Sequence, residues 1–276
     1  MDYKRILTIQ DISCVGQCSL TVALPIISSC GVETCVLPSA VLSTHTAGFS
    51  GFTVRDLSGD MPGILSHWKK EQIFFDGIYT GYLGSREQVD LVLDIMAATK
   101  KETAFTAVDP AMADNGKLYP AFDMDYVREM KRLCKEADYL LPNITEACFL
   151  ADMEYRSEYD QAFITELLDK LTALGAKNII LTGVSYRTGK TGVVVMENGV
   201  YHYYEHDFLS NSCHGTGDIY ASAFVGAVCR GKSAFDAAKI AADYTVECIR
   251  ITATLDHHWY GAAFEPAIPK LIERLQ

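Results

Sequence analysis

Asn211-Ser212-Cys213-His214-Gly215-Thr216-Gly217-Asp218-Ile219-Tyr220-Ala221-Ser222-Ala223-Phe224 is the stretch on which the reading of this chain turns. Gly215-Thr216-Gly217 is a small-residue turn that runs straight into an alanine-rich helical segment. Such a turn leaves backbone N–H groups without partners at a helix N-terminus, and those amides form an anion site. Asp218 sets a carboxylate at its edge, where it would repel a bound anion. The pairing makes chemical sense if the carboxylate takes a proton from a nucleophile while the amides hold a phosphoryl group.

Upstream, short β-branched runs at 4–10, 33–37, 73–79, 104–108, 138–141 and 178–182 alternate with amphipathic patterns near 17–30, 60–70, 85–100, 123–136, 144–151 and 158–174. This alternation predicts an α/β fold, a central, mostly parallel sheet with helices on both faces and ligands beyond the C-terminal strand ends. Residues 190–206 break the rhythm: two apolar runs flank Asn198-Gly199 and read as a small antiparallel hairpin extending the sheet. From 215 to 275 the pattern is almost wholly helical. With no linker or repeat in view, residues 1–276 read as a single domain.

Composition narrows the partners. Hydrophobic residues make up 49% and charged residues 21%, the balance of a compact protein. A net charge of −11 argues against nucleic acid or an anionic membrane, and no apolar run is long enough to span a bilayer. An anionic substrate would then need a local positive field from helix termini or a bound metal, which favours Mg²⁺. Nine cysteines, odd in number and without a Cys-x-x-Cys pair, read as reduced thiols of a cytoplasmic protein. Cys14 and Cys18 could share a helix face, but no histidine at zinc spacing accompanies them.

Several polar residues fall just past predicted strand ends: Asp11 and Ser13, then Ser43-Thr44-His45-Thr46, Asp109, Asn143 and Glu146, and Thr182. Each has a plain structural alternative. Asn143 with Glu146 could be a capping box, Asp109 before Pro110 a turn residue, and His45 a satisfied structural histidine. Cys213 lies close enough to the helix start for its thiol pKa to be lowered, with a small buried hydrophobe as the alternative. The run His257-His258-Trp259-Tyr260 reads as surface or interface packing rather than a metal site.

Taken together, Ile9-Gln10, Ser43-Thr44-His45-Thr46, Thr80-Gly81-Tyr82-Leu83-Gly84-Ser85, Val108-Asp109-Pro110, Leu141-Pro142-Asn143-Ile144-Thr145-Glu146 and Gly215-Thr216-Gly217-Asp218 resemble the pyridoxal kinase family of the ribokinase-like superfamily. The order and approximate spacing match over nearly the whole chain. The resemblance implies phosphoryl transfer from MgATP to the 5′-hydroxymethyl group of a vitamin B6 vitamer: pyridoxal, pyridoxamine or pyridoxine. It gives Asp218 the role of base, and gives the amides of Gly215, Thr216 and Gly217 the γ-phosphoryl. Asp109, Asn143, Glu146 and Thr182 would face the nucleotide, with Asp109 and Glu146 holding Mg²⁺ through water. Asp11, Ser13, His45, Thr46, Tyr82 and Cys213 would surround the acceptor ring. The resemblance also implies a homodimer and leaves room for a monovalent cation.

The chain departs from the family in having Asp11-Ile12 where Ser-His is expected after Ile-Gln, and Gln17-Cys18-Ser19 in the following turn. A carboxylate at position 11 could pair with a protonated ring nitrogen. Two alternatives stand beside the B6 reading: a hydroxymethylpyrimidine kinase, and a non-catalytic B6-binding or regulatory protein on the same fold.

Overall fold

A computed structural model describes residues 3–210 and 213–276, so Asn211 and Ser212 of the opening stretch lie outside the described residues. The chain begins with β1 (Arg5–Ser13), α1 (Leu20–Ser29), β2 (Glu33–Leu42), β3 (Val54–Asp56), α2 (Met61–Lys70), β4 (Phe75–Thr80) and α3 (Arg86–Thr99). Next come β5 (Lys100–Val108), a two-stranded flap of β6 (Ala113–Asp114) and β7 (Lys117–Leu118), α4 (Met124–Lys135), β8 (Tyr139–Leu140), α5 (Ile144–Leu150) and α6 (Gln161–Leu174). The hairpin side follows with β9 (Asn178–Val184), β10 (Lys190–Glu197) and β11 (Val200–Asp207), and the chain ends in α7 (Thr216–Cys229), α8 (Ala234–Thr252) and α9 (Ile268–Leu275).

Nine strands form one sheet in the order β11-β10-β9-β8-β5-β4-β1-β2-β3. The central strands from β9 to β2 are parallel, while β3 pairs antiparallel with β2 at one edge and, at the other, β10 pairs antiparallel with β9 and β11 with β10. The period of two explains how one strand serves two cores. In β9, Ile179 and Leu181 pack with α3–α6, whereas Ile180 between them packs with α1, α7 and α8. The expected α/β layering and hairpin extension are therefore present.

Several boundaries differ from expectation. β2 continues past Pro38 to Leu42, because Pro38 pairs with Gln10 where the β1–β2 register shifts and its missing N–H is accommodated. β1 likewise runs to Ser13, so Asp11 and Ser13 are its last residues rather than the loop after it. β9 runs to Val184, which puts Thr182 within the strand. The helix expected from residue 17 starts at Leu20, since Gly16 (φ 109°) and Ser19 (φ 54°) both have left-handed backbone. Cys14 and Cys18 thus share no helix face. The C-terminal region is also less helical than its pattern suggests: turns and extended chain separate α8 from the 3₁₀ turn Glu265–Ala267.

Candidate active site

Helix α7 begins at Gly215, which takes a left-handed conformation (φ 77°) that glycine adopts without strain. A Cβ there would meet the Gln17 carbonyl oxygen at 1.8 Å, so the position excludes every other residue. The first bond of the helix runs from Ile219 N–H to Gly215 O at 3.0 Å. No side chain caps this end, so among the described residues the amides of Thr216, Gly217 and Asp218 are left for a ligand. The turn thus leaves an uncapped helix start, as its small residues predict.

Asp218 lies in the first turn of α7 and keeps part of its surface open to solvent. Burial of its remaining surroundings pushes its pKa up from 3.8 to about 7, opposed by the Ser19 N–H that donates to it and reinforced by the charge of Asp11. Ser19 joins the two carboxylates: its N–H serves Asp218 and its hydroxyl donates to Asp11. Its left-handed backbone aims both groups at once, a strain of the kind that collects at functional sites. Nothing in the local sequence pattern marks Ser19 for this task.

Asp11 is buried, and desolvation raises its pKa against hydrogen bonds from Ser19 and Ser13 and the field of His45. The Ser13 hydroxyl lies 3.4 Å from the Asp11 carboxylate. Tyr82, just beyond β4, is half-buried within the field of Asp11 and packs its ring 5.5 Å from Phe122. His45 is buried, and both of its ring nitrogens are taken. Nε2 donates to the Tyr260 carbonyl at 2.7 Å, and Nδ1 accepts from the Ala47 N–H at 3.2 Å. With both nitrogens in use, His45 offers a ligand only its ring. Thr46 beside it is exposed.

Asp109 follows β5 and is partly exposed; burial, then the charges of Glu146 and Asp218, push its pKa well up. Glu146 is buried and raised to about 7, by desolvation first. The capping-box reading holds: Asn143 Oδ1 accepts from Glu146 N–H and Glu146 Oε2 accepts from Asn143 N–H, each at 2.9 Å. Glu146 Oε1 also accepts from Met112 N–H at 3.1 Å. Thr182 is bridged to Asn143 and donates its hydroxyl to the Pro142 carbonyl at 3.3 Å. Among the described residues no cluster of three His, Cys, Asp or Glu could hold a metal directly.

Asp109, Glu146 and Asp218 nevertheless form one acidic field with no cation among the groups that shift Asp109. Glu146 has its oxygens committed to backbone amides, so this set suits a cation held through water rather than by direct ligation. Tyr119, which the sequence pattern did not single out, stands at the flap and feels Glu146, Asp109 and Asp218 alike. The turn Asn115-Gly116 between β6 and β7 was the available signal for that flap.

Of the two readings of Cys213, the small hydrophobe fits the structure. Burial raises the Cys213 thiol instead of a helix terminus lowering it, and the side chain packs against the core of α1, α7 and α8. Cys213 is thus the small hydrophobe of the two readings. A separate cavity of about 660 Å³ is lined by none of the site residues and closes its charges on themselves, as in Lys190–Asp207 at 2.6 Å.

Comparison with known proteins shows the family. Residues 63–262 match the family model described as phosphomethylpyrimidine kinase. A Bacteroides thetaiotaomicron protein, described as a candidate phosphomethylpyrimidine kinase and crystallised with pyridoxal, is 35% identical with a TM-score of 0.91, over 98% of this chain and 96% of that one. The pyridoxal kinase of Lactobacillus plantarum is 30% identical with a TM-score of 0.90, over 98% and 97%. Among curated relatives, the pyridoxal kinase of Dictyostelium discoideum is 24% identical over 80% of this chain and 77% of its own length. The chain therefore belongs to the phosphomethylpyrimidine kinase family, in the part of the ribokinase-like superfamily that includes the pyridoxal kinases, and is a kinase with an alcohol acceptor.

Proposed function

We propose that the protein transfers the γ-phosphoryl group of MgATP to the 5′-hydroxymethyl group of a vitamin B6 vitamer. The observation that carries this reading is the juxtaposition at the start of α7. A partly open carboxylate with a pKa near neutrality stands beside the free amides of Thr216, Gly217 and Asp218, and the Asp11–Tyr82 side of the cleft adjoins it. Asp218 takes the hydroxyl proton as the oxygen bonds to phosphorus and the bond to the β-phosphate oxygen breaks, so that ADP leaves. The amides of Thr216 and Gly217 carry the charge on the transferring group. Asp109 and Glu146 would hold Mg²⁺ through water, and the ion would supply charge neutralisation to the phosphates. Asn143 and Thr182 face the nucleotide phosphates.

Asp11 pairs with the protonated ring nitrogen. Its burial beside Ser13 and Ser19, with no lysine or arginine among the groups that shift it, supports this role. A hydroxymethylpyrimidine acceptor is the second reading, favoured by the description of the family model. The 276 residues act as one kinase domain, expected to be a homodimer in the cytoplasm; among the described residues no helix is long and apolar enough to cross a membrane.

The test is a MgATP assay of purified protein against pyridoxal, pyridoxamine, pyridoxine and hydroxymethylpyrimidine, with Asp218→Asn and Asp11→Ser beside it. A B6 vitamer is expected to be phosphorylated, with turnover down roughly 10²- to 10⁴-fold in Asp218→Asn. Asp11→Ser should raise the acceptor KM and flatten its dependence on pH. Phosphorylation of the pyrimidine alone would establish the second reading, and full activity of Asp218→Asn would sink the mechanism.

A further inference from the structure

The segment between α8 and the 3₁₀ turn contains His257 in left-handed backbone (φ 62°) and Gly261 at φ 152°. It is fastened to three other parts of the molecule. Gln17 N–H reaches the Tyr260 carbonyl at 3.4 Å, and His258 Nε2 donates to Gln17 Oε1 at 2.9 Å. The Gln17 amide nitrogen donates to both Glu265 carboxylate oxygens, at 3.0 and 2.9 Å. His45 Nε2 shares the Tyr260 carbonyl, and the Trp259 ring lies 4.6 Å from Phe49. Ala262 N–H donates to the His214 carbonyl at 3.1 Å, one residue before the anion hole.

These three anchor segments carry Asp11 and Ser19, then His45 and Thr46, then Gly215–Asp218. All of the contacts just named fall on the acceptor side, and none involves Asp109, Asn143, Glu146 or Thr182. Gln17 is the hub. Its carbonyl abuts Gly215, and a Cβ on Gly261 would stand 2.6 Å from its own Cβ. Only a neutral amide can accept from His258 while donating to Glu265; a carboxylate would face Glu265 with like charge, and an alkyl group would leave both partners unmatched.

We propose that residues 253–264 form the acceptor-side wall of the site, with Gln17 the positioning residue that sets it, so that this wall selects a flat heteroaromatic acceptor. The proposal rests on the kinase reading above and adds what defines its acceptor. The aromatic contacts among His45, Phe49, Trp259 and Tyr260 suit the face and edge of one planar ring better than a polyhydroxylated sugar.

The experiment compares Gln17→Glu, the double variant Gln17→Glu with Glu265→Gln, and Trp259→Ala, using whichever acceptor the wild-type protein phosphorylates. Gln17→Glu should raise the acceptor KM about tenfold and leave the MgATP KM nearly unchanged. The double variant restores a donor opposite an acceptor and should recover most of that loss. Trp259 is 53% exposed, so Trp259→Ala threatens folding little and should also raise the acceptor KM. The chain has two tryptophans, and Trp68 packs on Phe75 away from these segments. In a Trp68→Phe protein the emission of Trp259 should respond to acceptor and not to nucleotide. Equal effects on both KM values, no effect on either, no recovery in the double variant, or emission blind to acceptor would overturn the proposal. A wild-type protein active only on the pyrimidine refutes the B6 reading separately, since the wall is then tested with that acceptor.

Discussion

Asp218 owes its reactivity to where its neighbours place it. A carboxylate with the ordinary value of 3.8 would be a weak base, whereas one raised to about 7 is matched to a task near neutrality. We expect kcat/KM to climb with pH through about 7 as Asp218 loses its proton, read from initial rates across pH 5.5 to 8.5. The same shift bears on stability. Between 3.8 and about 7 the folded chain keeps a proton that the unfolded chain has lost, so stability falls as pH rises through that window and the full cost stands above it. Asp218→Asn removes that cost. The variant should therefore melt at a higher temperature than the wild type above pH 7 while losing turnover, and the difference should vanish below the ordinary carboxylate range; equal melting curves at pH 8 would contradict this. The chemistry of this residue was legible in Gly215-Thr216-Gly217-Asp218. Its pKa was not, because Ser19 and Asp11 reach it only through the fold.

At the scale of elements, the start of α7 works because it is left uncapped, whereas α5 begins with both halves of a capping box satisfied. One helix end spends its amides internally and the other offers them outward. Gly215→Ala should disable the second without touching the first. The new methyl group would clash with the Gln17 carbonyl in a backbone conformation that already penalises alanine. The expected cost is about 1–3 kcal/mol of stability, with a fall in kcat larger than any change in acceptor KM, measured by chemical denaturation and steady-state rates. A variant of wild-type stability and rate would show that the turn tolerates a Cβ. Element identities were readable from periodicity, but several ends were not. The run expected at 33–37 continues through Pro38, which is absorbed by a register shift against Gln10. The segment after α8 looked helical because its apolar content does not reveal that Gly261 and Tyr260 are held by Gln17 and His45.

Over the whole molecule, a single sheet divides two hydrophobic cores, and the parallel strands at its centre contribute to both. Leu7 and Ile6 are adjacent in β1, fully buried, and face opposite cores. Leu7→Ala should cost roughly 2–5 kcal/mol, lowering the melting temperature by about 5–15 °C, as calorimetry would show; a shift under a degree would mean that the sheet does not tie the two cores into one cooperative unit. Strand–helix alternation, the Asn198-Gly199 hairpin and the turn before α7 were determined by sequence alone, because each depends on backbone sterics and periodicity within a short window. The tertiary structure decided which distant groups meet. It brought Asp11 into the field of Asp218, committed Glu146 to backbone amides, used both nitrogens of His45, and chose between the two readings of Cys213 by packing it against the core, where desolvation raises its thiol. Desolvation and the mutual fields of charges depend on three-dimensional packing, so the Gly-Thr-Gly-Asp motif locates the reaction while the fold sets the properties of the groups that perform it.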